Sequence, residues 1–209
     1  SSGDSGDNPN SSKYMQSIYP NDWVEFPSAM AYNYFGVTAV GGTTLTLNST
    51  LHMENQIAWY ISSNDTSNGG PAGSTGGISK VFPEPLWQYN SIANNVLIGS
   101  GRGVPDIAAI ANNTIVYITV DGTSYYANPH FYAFGGTSVA SPVEAGIIAE
   151  IDAVLSLNNQ SPLGYLNPML YKLGNEQMKS LIYTNSIGYS LTDSYNSSLP
   201  TLPFYNVNQ

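Results

Sequence analysis

The 209-residue sequence predicts an α/β fold with a mostly parallel sheet flanked by helices. Three observations carry that reading. Residues 37–43, Val-Thr-Ala-Val-Gly-Gly-Thr, form a short apolar run closed by glycines, the pattern of a strand buried on both faces. Residues 106–111 and 114–120 are two further strand-like runs, the second closed by the turn Asp121-Gly122. After Ser138 the periodicity changes from that of strands to that of a helix. Strands interleaved with helices define the α/β class, and the length suits one domain with a substantial core.

The chain opens on Ser1-Ser2-Gly3-Asp4-Ser5-Gly6-Asp7, which is turn chemistry. It continues to residue 34 as an irregular surface segment containing Tyr19-Pro20 and Phe26-Pro27. Residues 44–47 extend the strand begun at 37, and 54–60 are ambiguous between strand and helix. The Ser, Asn and Gly content of 62–77 predicts a mobile loop, and the prolines at 83 and 85 exclude a central strand. In Gly101-Arg102-Gly103-Val104-Pro105, the lone arginine is either a structural anchor or a substrate contact.

From Ser138 onward, Val139, Ala140, Val143, Ile147, Ile148, Ile151, Val154 and Leu155 are spaced to line one broad face of a helix of about five turns. Asn158 and Asn159 end it. Asn167-Pro168 supplies a cap and first-turn proline for a second helix through Leu173. Residues 175–209 are too polar to assign as helix, and no internal repeat is present.

Composition narrows the function classes. Five basic residues and a net charge of −9 disfavour nucleic acid and anionic membranes as partners. Few charges combined with abundant Ser, Thr, Asn and Tyr suit a surface that must stay polar at acid pH. With no cysteine there is neither a disulfide framework nor a thiolate metal site. His52 and His130 lack metal-ligand spacing. Six N-x-S/T sequons, at Asn10, Asn48, Asn64, Asn112, Asn159 and Asn196, are expected glycan acceptors on an externally exposed chain. No apolar run spans a bilayer, so any membrane attachment is expected through a segment outside this sequence.

The chemistry concentrates at Phe134-Gly135-Gly136-Thr137-Ser138-Val139-Ala140-Ser141-Pro142. Gly135 and Gly136 permit a sharp strand-to-helix turn, with Thr137 and Ser138 at the start of the helix. A helix N-terminus gathers unpaired N–H groups that favour a developing negative charge. Ser138 is therefore the candidate nucleophile, and the competing reading makes Thr137 or Ser138 an N-cap. Asp4 sits between residues that allow close backbone approach to a ligand, and its competing role is an Asx turn.

The Gly-Gly-Thr-Ser-x-x-x-Pro of 135–142, the Ser-Ser-Gly-Asp-x-Gly of 1–6, Thr-Ala-Val-Gly-Gly-Thr at 38–43 and Gly-Arg-Gly-Val-Pro-Asp at 101–106 occur in one register. Together they resemble the sedolisin family, the serine-carboxyl peptidases, over roughly residues 1–173. The resemblance implies a subtilisin-like fold, secretion as a proenzyme, and cleavage of protein or peptide substrates at acid pH by a Ser-Glu-Asp triad. Ser138 matches the family's nucleophile, Asp4 its oxyanion-hole aspartate, and Gly76 and Gly77 are expected to contact substrate. An aspartate stabilises an oxyanion only as a protonated donor, and a carboxylate base still works where histidine is already cationic. Subtilisins share Gly-Thr-Ser-x-Ala-Ser-Pro, but neither histidine here lies in a matching sequence.

Two departures from the family pattern matter. The glutamate base and its aspartate lie upstream of the Ser-Ser-Gly-Asp motif in that family, so the dyad is expected on a segment outside this chain. Glu144 and Glu150 read as ordinary helix carboxylates. The family's calcium site is matched only by Phe204-Tyr205-Asn206-Val207, where Asn206 and Val207 offer carbonyl oxygens without the aspartate's charge. The sequence thus reads as the C-terminal portion of an acid-acting endopeptidase or tripeptidyl-peptidase. The alternative is a catalytically inactive, peptidase-like structural or binding module of an extracellular surface assembly.

Overall fold

The computed structural model describes residues 1–7, 24–61, 72–91, 101–117, 119–120, 123–124 and 131–185, the last helix with side chains to 176. Two parallel strand pairs position the site. In one, β2 (Val40–Leu47) runs beside β7 (Ile107–Ile110), Val40 opposite Ile107 and Thr43 opposite Ile110. In the other, β1 (Ser5–Asp7) runs beside β5 (Ala72–Pro83), with Ser5 opposite Gly73 and a register shift before Asp7 meets Gly76.

Antiparallel pairs complete the sheets, which are mixed where the sequence led us to expect mostly parallel pairing. β3 (Met53–Ala58) folds back on β2, resolving the ambiguity at 54–60 as strand. β4 (Tyr60–Ile61) and β6 (Gly101–Val104) flank successive halves of β5. β8 (Thr114–Tyr117) pairs with β11 (Phe131–Phe134), while β9 (Thr119–Val120) and β10 (Thr123–Ser124) pair across 121–122. The short links joining β2 to β3 and β9 to β10 allow only hairpin returns, which is why those pairs are antiparallel.

β5 corrects the expectation of a mobile loop through 77, because Ala72 to Gly77 is strand. Its polarity is satisfied by the ladder: β1 and β4 hold its first half and β6 its second. Gly76 and Gly77 therefore lie in a paired strand, Gly77 exposed and Gly76 against the Val104 carbonyl. β5 also corrects the expectation that the prolines exclude a central strand, since Lys80 to Pro83 belong to it; Pro83 is its last residue, where one missing N–H is tolerated, and the short helix α1 (Leu86–Tyr89) follows.

Helix α2 (Thr137–Leu157) has Gly136 as N-cap and Asn158 as C-cap, and Asn159 takes φ 56°, so the chain stops where the two asparagines predict. Helix α3 (Asn167–Asn185) starts at Asn167-Pro168 but runs well beyond 175, into sequence judged too polar for a helix. Its start is fixed by tertiary bonds that propensity cannot reveal. Buried Asn167 accepts from Thr38 Oγ1 at 2.6 Å and donates to the Val37 carbonyl at 3.1 Å.

The core is small: Val40, Trp59, Ala109, Ala111 and Ala140, with Ile61, Ala72 and Ile107 packed against it. Alanines and glycines there let β2, β7 and α2 approach closely. A Cβ on Gly42 would stand 2.6 Å from the Ala111 Cβ, so only glycine fits. Arg102, fully buried, donates to Asp106 Oδ2 at 2.5 Å and to the Gly103 carbonyl, and lies over the Trp87 ring at 5.2 Å. It is a structural anchor. Tyr171 of α3 donates to Asp106 Oδ1 at 3.0 Å, and Gln88 of α1 reaches Tyr171 and Gly103, so one network ties α1, β6, the Asp106 link before β7, and α3. Burial, then the Asp106 charge, pushes the Tyr171 hydroxyl well above its ordinary range, so it remains a donor.

Candidate active site

The site is built where β11 gives way to α2. Gly136 takes φ 110°, a backbone conformation open to glycine, and its N–H donates to the Ala111 carbonyl at 2.8 Å. That bond pins the turn to the end of β7. Trp59, buried beneath, brings its indole edge to within 3.9 Å of where a Gly135 Cβ would be. The turn thus rests on a rigid floor, and Ser138 emerges exposed in the first turn of α2.

Asp4 arrives from the other end of the chain. Thr75 fixes its flanks: the Thr75 N–H donates to the Gly3 carbonyl, and the Ser5 N–H donates to Thr75 Oγ1 at 2.8 Å. The Asp4 carboxyl is then held against the Gly136-Thr137 turn. The Thr137 N–H and the Thr137 hydroxyl both donate to Asp4 Oδ1, each at 2.7 Å. Oδ2 lies 2.6 Å from where a Gly136 Cβ would project, a second reason for glycine there. The Gly3 N–H donates to Thr137 Oγ1 at 3.2 Å, closing the arrangement.

This geometry bears on the competing readings. α2 has no side-chain cap of its own, since Gly136 is the N-cap residue. A carboxylate 133 residues away in sequence takes that role, and Thr137 serves it, leaving Ser138 free of capping duty. The Asp4 oxygen bonds the Thr137 turn rather than its own. One oxygen is committed to two donors and the other faces Gly136.

Pro142 adds a further element. It stands four residues after Ser138 inside α2 and has no N–H, so the Ser138 carbonyl receives no helical bond from it. The first N–H groups of a helix likewise lack partners within it, which leaves the Ser138 amide available to an anionic oxygen. Glu144 is half-buried on α2 and burial raises its carboxyl above the usual range. Glu150, twelve residues beyond Ser138, is on the order of 18 Å away along the helix axis. Neither is placed as a base.

Of the other expected sites, Asn48 is exposed and accepts from the Thr50 N–H, the Thr50 hydroxyl and the His52 N–H. Asn159 is exposed and Asn112 half-buried. Asn10, Asn64, Asn196, His130, Asn206 and Val207 lie outside the described residues. Among the described residues no group of three or more His, Cys, Asp or Glu could hold a metal. Sequence reading missed Thr75, Trp59 and the bonding role of Thr137; the only signal for them was proximity to the glycine motifs.

An exposed serine at a helix N-terminus, fed by a glycine turn whose next residue is bonded by a carboxyl, on parallel strand pairs flanked by helices, fits a subtilisin-like fold. Comparison with known proteins narrows the class. No family model matches the chain. Kumamolisin of Bacillus sp. (strain MN-32) is 36% identical over 167 residues, covering 78% of this chain and 26% of kumamolisin. Tripeptidyl-peptidase SED1 of Arthroderma otae is 36% identical over 164 residues, 70% of this chain and 22% of that protein. Tripeptidyl-peptidase 1 of Rattus norvegicus is 30% identical over 158 residues, 70% of this chain and 23% of that protein. Pseudomonas sedolisin, a serine-carboxyl proteinase solved with pseudo-iodotyrostatin, superposes with a TM-score of 0.59 at 26% identity, covering 85% of this chain and 43% of its own. The chain belongs to the sedolisin family and has its subtilisin-like fold. It spans about a quarter of the length of the curated relatives it matches.

Proposed function

We propose that this chain forms part of an acid-acting serine-carboxyl peptidase, an endopeptidase or tripeptidyl-peptidase, with Ser138 as nucleophile and Asp4 in the oxyanion hole. The observation that carries the reading is the pair of 2.7 Å bonds from Thr137 to Asp4 Oδ1. They hold a carboxyl at the N-terminus of the nucleophile's helix, its second oxygen accepting no hydrogen bond among the described residues. Ser138 Oγ attacks the scissile carbonyl carbon and gives its proton to a glutamate supplied by polypeptide outside this chain. The carbonyl oxygen becomes an anion between the Asp4 O–H and the Ser138 N–H. Collapse expels the amine, which takes up the proton, and water then releases the acyl group from Ser138.

Several features support an external, acidic setting. Protonated Asp4 is the form able to donate, and the surface carries few charges. Asn48 and Asn159 are exposed glycan acceptors. No helix among the described residues is long and apolar enough to cross a membrane. Calcium would fall to Asn206 and Val207, an uncharged pair, and its binding is an open proposal that calorimetry on the longer polypeptide would check.

The test is Ser138→Ala in the longer polypeptide containing this chain, assayed on peptide substrates at acid pH. Loss of on the order of 10⁴-fold or more in kcat with an unchanged circular dichroism spectrum is expected. An unchanged rate removes Ser138 from the mechanism. An inactive parent protein favours the structural or binding module.

A further inference from the structure

The turn that carries Asp4 is held from two sides. On one side β5 takes its backbone: the Gly73 N–H donates to the Asp4 carbonyl at 3.0 Å, the Thr75 N–H to the Gly3 carbonyl at 2.9 Å, and the Ser5 N–H to Thr75 Oγ1 at 2.8 Å. On the other lies the carboxyl of Glu25. Its Oε1, Cδ and Oε2 come within 2.1, 2.2 and 2.5 Å of where a Cβ on Gly3 would be, and Ser5 Oγ donates to Oε1 at 3.3 Å. One carboxyl thus touches the residue before Asp4 and the residue after it. Gly3 takes φ 107°, which L side chains rarely adopt, and the Glu25 head fills the space that a side chain there would need.

Glu25 is itself fixed through its backbone. Its carbonyl accepts from Ser28 Oγ at 2.6 Å and from the Ala29 N–H at 3.0 Å, and both of those residues are buried. That turn gives the side chain a firm base, although the residue as a whole is exposed. Burial raises the Glu25 carboxyl above its ordinary range; the Ser5 bond opposes the shift and the Asp4 charge adds to it. At acid pH the group is therefore neutral and sets no second charge beside Asp4. We propose that Glu25 is a positioning residue for the oxyanion hole: by clamping Gly3 and Ser5 it fixes where the Asp4 carboxyl meets Thr137. The effect on turnover rests on the peptidase reading, whereas the clamp is a matter of geometry alone. Glu25 exchanges no proton in the proposed reaction, so what it supplies is shape and an acceptor for Ser5. Glutamine supplies both and alanine neither.

Glu25→Ala and Glu25→Gln would be made in the longer polypeptide containing this chain. The readout independent of turnover is hydrogen exchange at the Thr137 amide, which donates to Asp4 Oδ1. The reference is the buried Ala111 amide, bonded to the Thr43 carbonyl. Glu25→Ala should speed exchange at Thr137 roughly tenfold and leave Ala111 unchanged, whereas Glu25→Gln should leave both as in the parent. In peptide assays at acid pH, Glu25→Ala should lower kcat roughly tenfold with KM nearly unchanged, and Glu25→Gln should restore it. In an Asp4→Ala background, Glu25→Ala should lower kcat no further. Unchanged exchange at Thr137 overturns the proposal, as does equal acceleration at Thr137 and Ala111, which would make Glu25 a contributor to general stability alone. A further loss in the Asp4→Ala background also overturns it, because Glu25 would then act by another route. Acceleration confined to Thr137, in a parent that cleaves no peptide, would uphold the clamp and overturn the peptidase reading.

Discussion

The Thr137 N–H and hydroxyl converge on a single oxygen of Asp4, both at 2.7 Å, although the two residues stand 133 positions apart. The hydroxyl also accepts from the Gly3 N–H. Thr137→Val removes one donor from Asp4 and orphans a buried N–H, so about 1–3 kcal/mol of stability should be lost in urea unfolding. If Asp4 works on the oxyanion, its misplacement should lower kcat roughly 10–100-fold with KM nearly unchanged. Thr137→Ser should restore both. A full kcat in Thr137→Val would show that Asp4 is positioned by other means.

Asp4→Asn keeps an acceptor for both Thr137 donors and presents an amide N–H₂ at every pH. If protonation of Asp4 controls the alkaline limb of kcat/KM, that limb should flatten in the variant. An unmoved profile would assign Asp4 to capping α2 alone.

Glu25 provides a stability prediction. Its residue is exposed as a whole, but its carboxyl head presses on Gly3, within 2.1 Å of where a Cβ would be, and accepts from Ser5 Oγ at 3.3 Å. Desolvation raises its carboxyl above the usual range; the Ser5 bond opposes this and the Asp4 charge adds to it. A raised carboxyl binds its proton more tightly folded than unfolded. Its contribution is therefore complete below the unfolded pKa and is lost as pH rises through the folded one. Glu25→Gln should raise the melting temperature at pH 7 and leave it unchanged near pH 3. Equal shifts at both pH values would separate Glu25 from the pH dependence of stability.

Arg102 and Asp106 form a pair with both side chains fully buried. Asp106→Asn leaves the guanidinium without its counter-charge and should cost about 3–5 kcal/mol in denaturant unfolding. Tyr171→Phe removes a neutral donor from the same carboxylate and should cost less, about 1–2 kcal/mol. Were the two losses equal, the ionic part of the network would contribute nothing.

What sequence could reveal follows from the range of each interaction. The turn at Gly135-Gly136, the start of α2 and its end at Asn158-Asn159 depend on local backbone chemistry, and all three stand where the residues place them. So do Asn167-Pro168 and the strand within 37–43. Polarity misled at 72–77, because a strand held on both sides needs no apolar side chains when its ladder is complete. It misled again beyond 175, where a helix already anchored at Asn167 continues through polar sequence. At the site, Ser138 and Asp4 are legible as motif residues. Their connection through Thr137, and the support from Thr75 and Trp59, exist only after distant segments meet.

That separation has a kinetic consequence. Asp4 and Thr137 stand 133 positions apart, and a loop of that length surrenders its entropy before the contact compensates, so a contact of this kind slows folding relative to a turn closed locally.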